Sequence, residues 1–131
     1  MISAGLLAIL GMTSIKDCGN GLGRATNLTF DSQPPTPVVG DNITMWVGYT
    51  IDAPEITGGT TTYKVTLNGL PFPPTVKNLC EETTCPKKIG FNNESSWSVY
   101  TGGVSGKVVS QISWKDQNDA LVWCVETTWK L

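Results

Sequence analysis

Residues 68–86 read Asn68-Gly-Leu-Pro-Phe-Pro-Pro-Thr-Val-Lys-Asn-Leu-Cys80-Glu-Glu-Thr-Thr-Cys85-Pro86. The Asn-Gly pair predicts that a strand ends at this point. Prolines on both sides of Phe72 hold the next segment extended, because each proline ring fixes its own φ angle. The two closely spaced cysteines then predict a short cystine that fixes the chain before the following strand. We expect this segment to prop two β-sheets apart.

The other two cysteines lie near the ends of the chain, at Cys18 and Cys124. Four cysteines allow three pairings. The short spacing favours a bond between Cys80 and Cys85, which leaves Cys18 to pair with Cys124. In the chain-entropy description, the long closure stabilises the fold by about 4 to 5 kcal/mol and the short one by about 2 kcal/mol.

The amino terminus and the glycosylation sequons point to the secretory route. Residues 1–13 are apolar and shorter than the roughly 20 residues that span a bilayer, so they are predicted to be a signal peptide. Residues 14–131 then form one domain. Three N-x-S/T sequons, at Asn27, Asn42 and Asn93, fit an oxidising compartment together with the cysteines. The expected location is the extracellular space or the endolysosomal or vacuolar lumen.

Charge and composition exclude several classes of function. The chain of 131 residues has a net charge of −2 and contains no histidine. Nucleic-acid binding requires a basic face, and triad hydrolysis and imidazole metal sites require histidine. Asp116, Asp119 and Glu126 could be posed as catalytic carboxylates, but the two aspartates sit in a turn, where Asp is common. We predict no enzyme activity, no cofactor and no metal; an all-cysteine metal site is disfavoured by the secretory context.

Hydrophobic periodicity predicts an all-β fold. Apolar residues alternate with polar ones between Gly, Pro and Asn, and no helical period is found after residue 14. The inward positions of the clearest strand, residues 42–51, are Ile43, Met45, Val47, Tyr49 and Ile51. Further strands are predicted at residues 25–30, 61–67, 95–101, 107–114 and 120–129. Short strands at this spacing are typical of a sandwich or barrel.

The facing of the other strands follows from the same alternation. The last strand has apolar residues on both faces, so its facing is undecided. Asn27 and Asn42 fall on outward positions, and Asn93 is assigned to a loop, which agrees with solvent-facing glycans. The inward residues of the other strands are Leu28, Phe30, Tyr63, Val65, Leu67, Trp97, Val99, Val108, Ile112 and Trp114.

Several short motifs, taken in order, resemble the ML lipid-recognition domain, a family that includes sterol carriers and phosphatidylglycerol/phosphatidylinositol transfer proteins. The resemblance covers residues 17–131. It implies an immunoglobulin-like β-sandwich of about seven strands, with a hydrophobic cavity between the sheets and no catalysis. The motifs are Asp17-Cys18-Gly19, Pro34-Pro35-Thr-Pro37, Asn68-Gly69-Leu70-Pro71-Phe72-Pro73, Cys80 with Cys85-Pro86, Ile112-Ser-Trp114-Lys-Asp116 and Leu121-Val-Trp123-Cys124.

The resemblance also implies pocket residues. Phe72 matches an aromatic residue that lines the pocket of the sterol carriers, and Val99 and Tyr100 match the opposite wall. Two departures are the lack of a small cystine between the first two strands and the pair Lys87-Lys88 after Pro86. These lysines either meet an anionic headgroup or form an ordinary solvated pair. The predicted lipid-binding residues are Phe72, Val99, Tyr100, Tyr63, Val65, Met45, Trp97, Ile112 and Trp114.

The predicted function is a monomeric, secreted lipid-binding and lipid-transfer protein that carries a sterol or phospholipid and contacts membranes transiently. The same inward aromatic residues would also fill an ordinary packed core. The alternative function is an immunoglobulin-like recognition or adhesion module, or an innate-immune lipid sensor with a protein partner. Its contact patch would contain Trp46, Trp123 and Trp129.

Overall fold

The computed structural model describes residues 12–34, 38, 40–99 and 106–130. These residues form nine strands and one short helix, α1 (Leu79–Glu82). The strands are β1 (Met12–Asp17), β2 (Thr26–Gln33), β3 (Asn42–Ile51), β4 (Gly59–Leu67), β5 (Leu70–Pro71), β6 (Thr75–Asn78), β7 (Gly90–Val99), β8 (Lys107–Asp116) and β9 (Leu121–Lys130). No helix in these ranges is long and apolar enough to cross a membrane.

The strands make two antiparallel sheets. The larger sheet has the order β1-β9-β8-β4, and β5 and β6 both pair with the free edge of β4. The smaller sheet has the order β2-β3-β7. Side chains from both sheets meet in one core, so the predicted all-β sandwich is confirmed.

Aromatic residues form the centre of the core. The Trp114 and Trp123 rings lie 4.5 Å apart between centroids, and Tyr49 meets Trp114 edge-on at 6.2 Å. Tyr49 comes from the small sheet and both tryptophans from the large one, so this cluster joins the sheets. The other buried apolar side chains of the core are Ala25, Val47, Ile51, Ile56, Leu79, Val122 and Val125.

Strand β3 has the predicted bounds and facing, because its inward residues are all apolar. Leu28 and Phe30 of β2 also pack against the core as predicted. Strand β9 has buried residues on both faces, and residues 18–25 run along its edge, where the N–H groups of Cys18, Arg24 and Ala25 donate to carbonyls of β9. There Gly23 approaches so closely that a Cβ atom would lie 2.5 Å from the Val122 carbonyl oxygen. Residues 122–125 are all buried, so the alternation of β9 gave no facing.

Strand β7 differs from the prediction in both length and facing. It starts at Gly90 and includes Asn93, which was assigned to a loop. Trp97 was predicted to point inward, but 71% of its surface is exposed. The physical reason is that Glu94 takes an inward position, where Lys87 and Tyr49 satisfy its charge. The alternation of apolar residues is therefore reversed in this strand.

The proline-rich segment contains structure that periodicity did not reveal. Strands β5 and β6 run back along β4, and the residues between them include Phe72, whose N–H donates to the Val65 carbonyl at 2.9 Å. Helix α1 follows directly, and the Asn78 side chain accepts from the Cys80 N–H at its start. These elements are too short to show a period of their own.

Both predicted disulfides are confirmed, Cys18–Cys124 and Cys80–Cys85. The asparagines of the three sequons are all exposed, as predicted. Residues 1–11 of the predicted signal peptide lie outside the described residues, and residues 12 and 13 begin β1. Tyr100 also lies outside the described residues.

Candidate functional site

A cavity of about 120 Å³ lies between the two sheets. Its floor is apolar and comes from β3, β4, β8 and β9. One side is polar and comes from helix α1, the residue after it, and β7. The lining residues are Met45, Val47, Tyr63, Glu82, Thr83, Glu94, Ser95, Ser96, Ile112, Trp114, Trp123 and Val125.

Four of the predicted lipid-binding residues come together in this cavity: Met45, Tyr63, Ile112 and Trp114. They belong to three strands, and each faces the opposite sheet because it sits at an inward position of its strand. The Tyr63–Ile112 pair is a direct cross-strand pair of β4 and β8. These residues form the apolar floor of the cavity, at the inward positions that the alternation of apolar residues predicts.

Other predicted site residues lie elsewhere. Phe72 is 52% exposed and, with Val65, lines a separate depression that also contains Lys64, Thr66 and Val109. Trp97 is exposed on the outer face of the small sheet. Val99 pairs with Asn42 at the end of β7, and its side chain is outside the described part, as is all of Tyr100. Lipid contact by these residues stays a prediction.

The polar side of the cavity is organised by Glu94. Tyr49 Oη donates to Glu94 Oε2 at 2.9 Å, and Lys87 Nζ and Thr83 Oγ1 donate to Oε1 at 2.9 and 3.1 Å. A carboxylate has about four acceptor positions, so three are filled. Burial, the nearby charge of Glu94 and the hydrogen bond to it together raise the pKa of Tyr49 well above its usual range. Tyr49 is therefore a permanent donor.

Lys87 forms a buried ion pair with Glu94. Its side chain is 7% exposed, and Nζ also donates to Thr83 Oγ1 at 2.8 Å. Nζ lies 5.9 Å from the Trp114 ring centroid, within the range of a cation–π contact. Neither sequence interpretation of this residue, headgroup contact or solvated surface charge, describes it. Lys88 is exposed.

Residues 79–87, which we call the cystine arm, connect the two sheets through this network. The arm follows β6 on the large sheet, and its Lys87 exchanges two backbone hydrogen bonds with Ile56, at 2.8 and 3.0 Å. Through Thr83 and Lys87 it holds Glu94 of the small sheet. The arm therefore closes one side of the cavity.

A sequence signal for this polar wall exists in the sequon around Asn93. Asn93 and Ser95 must both reach solvent for the sequon to be used, so a strand through them turns Glu94 inward and Trp97 outward. Treating Asn93 as part of a loop concealed this constraint. Glu82 and Thr83 had no comparable signal, because they lie in one helical turn and the residue after it.

The carboxylates considered for catalysis have structural partners. Asp116 Oδ2 accepts from Arg24 at 2.7 Å, and Asp119 lies 3.7 Å from Lys115. Gln111 donates to Glu126 at 2.7 Å, and this bond lowers the pKa of Glu126 more than burial raises it. The four cysteines are all in disulfides. The cavity itself has the chemistry of a binding site, because its floor is apolar and one side carries hydrogen-bonding groups.

The sequence and the fold were compared with those of known proteins. No curated protein matches the sequence significantly. Among solved structures, a Niemann-Pick type C2 protein from the Japanese carpenter ant superposes with a TM-score of 0.62 at 16% identity, covering 89% of this chain and 98% of that one. Chicken MD-1, complexed with lipid IVa, gives a TM-score of 0.61 at 13% identity, covering 88% of this chain and 86% of that one.

These similarities show a shared fold. The family comparison goes further, because residues 12–131 match the ML domain. The match includes both disulfides, all nine strands and every residue that lines the cavity between the sheets. The chain belongs to the ML-domain family.

Proposed function

We propose that this chain is a secreted lipid-binding and lipid-transfer protein that shields the apolar part of a sterol or phospholipid between its sheets, without catalysis. The observation that carries the proposal is the apolar cavity floored by Trp114 and Trp123. Family membership and the lipid IVa in the structure of chicken MD-1 support it. The two disulfides support a location on the secretory route.

The size of the cavity indicates how a lipid would be held. At about 120 Å³ it is smaller than a cavity of roughly 150 Å³, which holds a single benzene. A whole lipid therefore requires the sheets to move apart. Burial of about 300 to 400 Å² of apolar ligand surface would contribute about 8 to 10 kcal/mol before the costs of association and of moving the sheets apart.

The polar side of the cavity favours a headgroup without negative charge. Glu82 and Glu94 line the cavity, whereas their partners Lys77 and Lys87 are not among the lining residues. An anionic headgroup at this side would meet carboxylates before it met either lysine. A hydroxyl group could donate to the acceptor position that Glu94 keeps free. We infer that hydroxyl-bearing or zwitterionic lipids bind better than anionic ones.

The test compares a fluorescent sterol, a fluorescent phosphatidylcholine and a fluorescent phosphatidylglycerol, the two phospholipids having identical chains. Binding and transfer between vesicles are measured for the wild type, Glu82→Gln and the matched control Glu81→Gln. Glu81 lies in the same helical turn and is not a lining residue. Removal of the Glu82 charge should improve phosphatidylglycerol binding about threefold, since one screened like charge is worth under about 1 kcal/mol.

The outcomes separate the two parts of the proposal. A folded wild-type protein that binds and transfers none of the three lipids contradicts the lipid-transfer function. A protein that binds lipids, but with equal affinity for the two phospholipids and no effect of Glu82→Gln, contradicts only the inference about the headgroup.

The alternative recognition module keeps two of the three tryptophans assigned to its contact patch, Trp46 and Trp129, which are half-buried. Trp123, one of the three tryptophans assigned to it, is 3% exposed and belongs to the core. We propose that the chain acts as a monomer with transient membrane contact, because one cavity is sufficient for carriage. Light scattering after size-exclusion chromatography measures that state directly.

A further inference from the structure

The outer face of the small sheet carries aromatic side chains in open solvent. Phe91 is 69% exposed and Trp97 is 71% exposed, and Trp46 lies on the neighbouring strand of the same face. Large apolar side chains in contact with water are costly, and clusters of them usually have a partner. The question is what covers this face.

A depression of about 360 Å³ marks the centre of the face. Its lining includes Trp46, Phe91, Asn93, Asp31 and Gln33. The floor is Gly48, which pairs directly with Asn93 across β3 and β7. Aromatic rings, amide and carboxylate groups around one shallow depression suit a ligand with both apolar C–H surfaces and hydroxyl groups, which describes a sugar ring.

Gly48 creates the space for this depression. A Cβ atom at that position would lie 3.2 Å from two ring carbons of Phe91 and would collide with Thr29 Oγ1. The Phe91 ring therefore lies against the bare backbone of Gly48, next to Asn93 along the strand. A side chain at Gly48 would crowd the Phe91 ring and occupy part of the depression.

Asn93 is also the acceptor of a glycosylation sequon, Asn93-Glu94-Ser95. It is exposed, whereas Glu94 between it and Ser95 is turned toward the core. Phe91 precedes Asn93 by two residues on the same face, a separation of about 7 Å along a strand. The first sugar attached to Asn93 therefore starts within reach of both Phe91 and Trp46.

We propose that an N-linked glycan on Asn93 folds its first sugar into this depression and covers Phe91 and Trp46. The C–H face of the sugar packs on the rings, and its hydroxyl and N-acetyl groups meet Asp31 and Gln33. The occupant is thus part of the protein itself. This inference depends on the secretory route of the proposed function, and not on lipid binding.

The test is a double-mutant cycle on protein made in a eukaryotic secretory host. Wild type, Phe91→Ala, Asn93→Gln and the double variant are compared by thermal unfolding. Loss of the Asn93 glycan should lower the Tm of the wild type by about 4 °C, because stacking of this size shifts a domain of this length by that amount. In the Phe91→Ala background the same loss should change Tm by less than about 1 °C.

Two further measurements show whether the stabilisation comes from the first sugar on Asn93. Trimming the glycan to a single sugar should preserve the higher Tm, because that sugar makes the contact. The matched control is Asn42→Gln, which removes a glycan from the end of β3 and should show no coupling to Phe91→Ala. The proposal is overturned by additive effects of the two changes, by an unmodified Asn93 in secreted protein, or by vesicle binding of the glycosylated protein that Phe91→Ala abolishes.

Discussion

Asp116 stabilises the hairpin between β8 and β9 through its charge. Its side chain is 3% exposed and accepts from Arg24 at 2.7 Å and from the N–H groups of Asn118 and Ala120 at 2.8 and 3.0 Å. Burial alone would raise the pKa of this carboxyl, but the hydrogen bonds and the guanidinium outweigh it and lower the pKa below its ordinary value. Asp116 therefore prefers to be charged in the folded state.

The first prediction follows from that preference. The stabilisation by Asp116 is complete above its unfolded pKa of about 3.9 and is lost as the pH falls through the lower folded value. Asp116→Ala should lower the free energy of unfolding at neutral pH by about 3 kcal/mol, because Arg24 then loses a buried partner. Denaturant titration against pH measures both effects. The control is Asp119→Asn, whose side chain is 85% exposed, and it should change neither the free energy of unfolding nor its pH dependence. If Asp116→Ala left the free energy of unfolding unchanged, the Asp116 charge would not stabilise the hairpin.

The second prediction concerns the side chain of Phe72. Because half of its surface is already exposed, Phe72→Ala should change the stability of the lipid-free protein by less than about 1 kcal/mol, whereas a buried Phe costs about 3 to 5 kcal/mol. If the ring contacts lipid once the sheets have separated, the same change weakens lipid binding about tenfold. Chemical denaturation and lipid titration distinguish the two. A loss of 3 kcal/mol or more would place the ring in the core.

Whether the bounds and facing of a strand could be predicted from the sequence depends on whether its inward residues are all apolar or include a paired charge. The bounds of β3 were predicted because every inward residue is apolar. In β7 the ion pair of Glu94 with Lys87 permits an inward charge, and two large aromatic residues face outward instead. The apolar floor of the cavity was therefore predictable from alternation. Its polar wall was not, since it depends on a long-range contact with the cystine arm.

The cystine arm itself carries the third prediction. Replacement of Cys80 and Cys85 by alanine should cost about 2 kcal/mol of stability, against about 4 to 5 kcal/mol for the same replacement of Cys18 and Cys124. Although it costs less stability, the replacement of Cys80 and Cys85 should speed amide hydrogen exchange in residues 79–87. It should also accelerate lipid release, because the arm closes the cavity. Lipid release at the wild-type rate from the Cys80 and Cys85 variant would show that the arm is not the closing element.

Across the whole molecule, the positions of the tryptophans allow the proposed lipid site between the sheets to be tested. Trp114 and Trp123 line the cavity between the sheets, whereas Trp46 and Trp97 lie on the outer face. A phospholipid with brominated chains should quench the fluorescence of the wild type and of Trp46→Phe to a similar extent. Trp114→Phe should lose about half of the quenching, because two indoles line the cavity. Equal quenching in all three proteins would place the lipid outside the sandwich.

The interrupted strand pair β5 and β6 has a consequence for the behaviour of the protein at high concentration. These strands have two and four residues and form one border of the large sheet, and Phe72, Pro73 and Pro74 separate them. A long flat border would offer a row of unpaired amides on which another copy could add a strand. Two short pieces separated by residues that include two prolines, with Lys77 on the second piece, offer no such template. The proline-rich segment at this border thus protects the molecule against aggregation through its sheet edge.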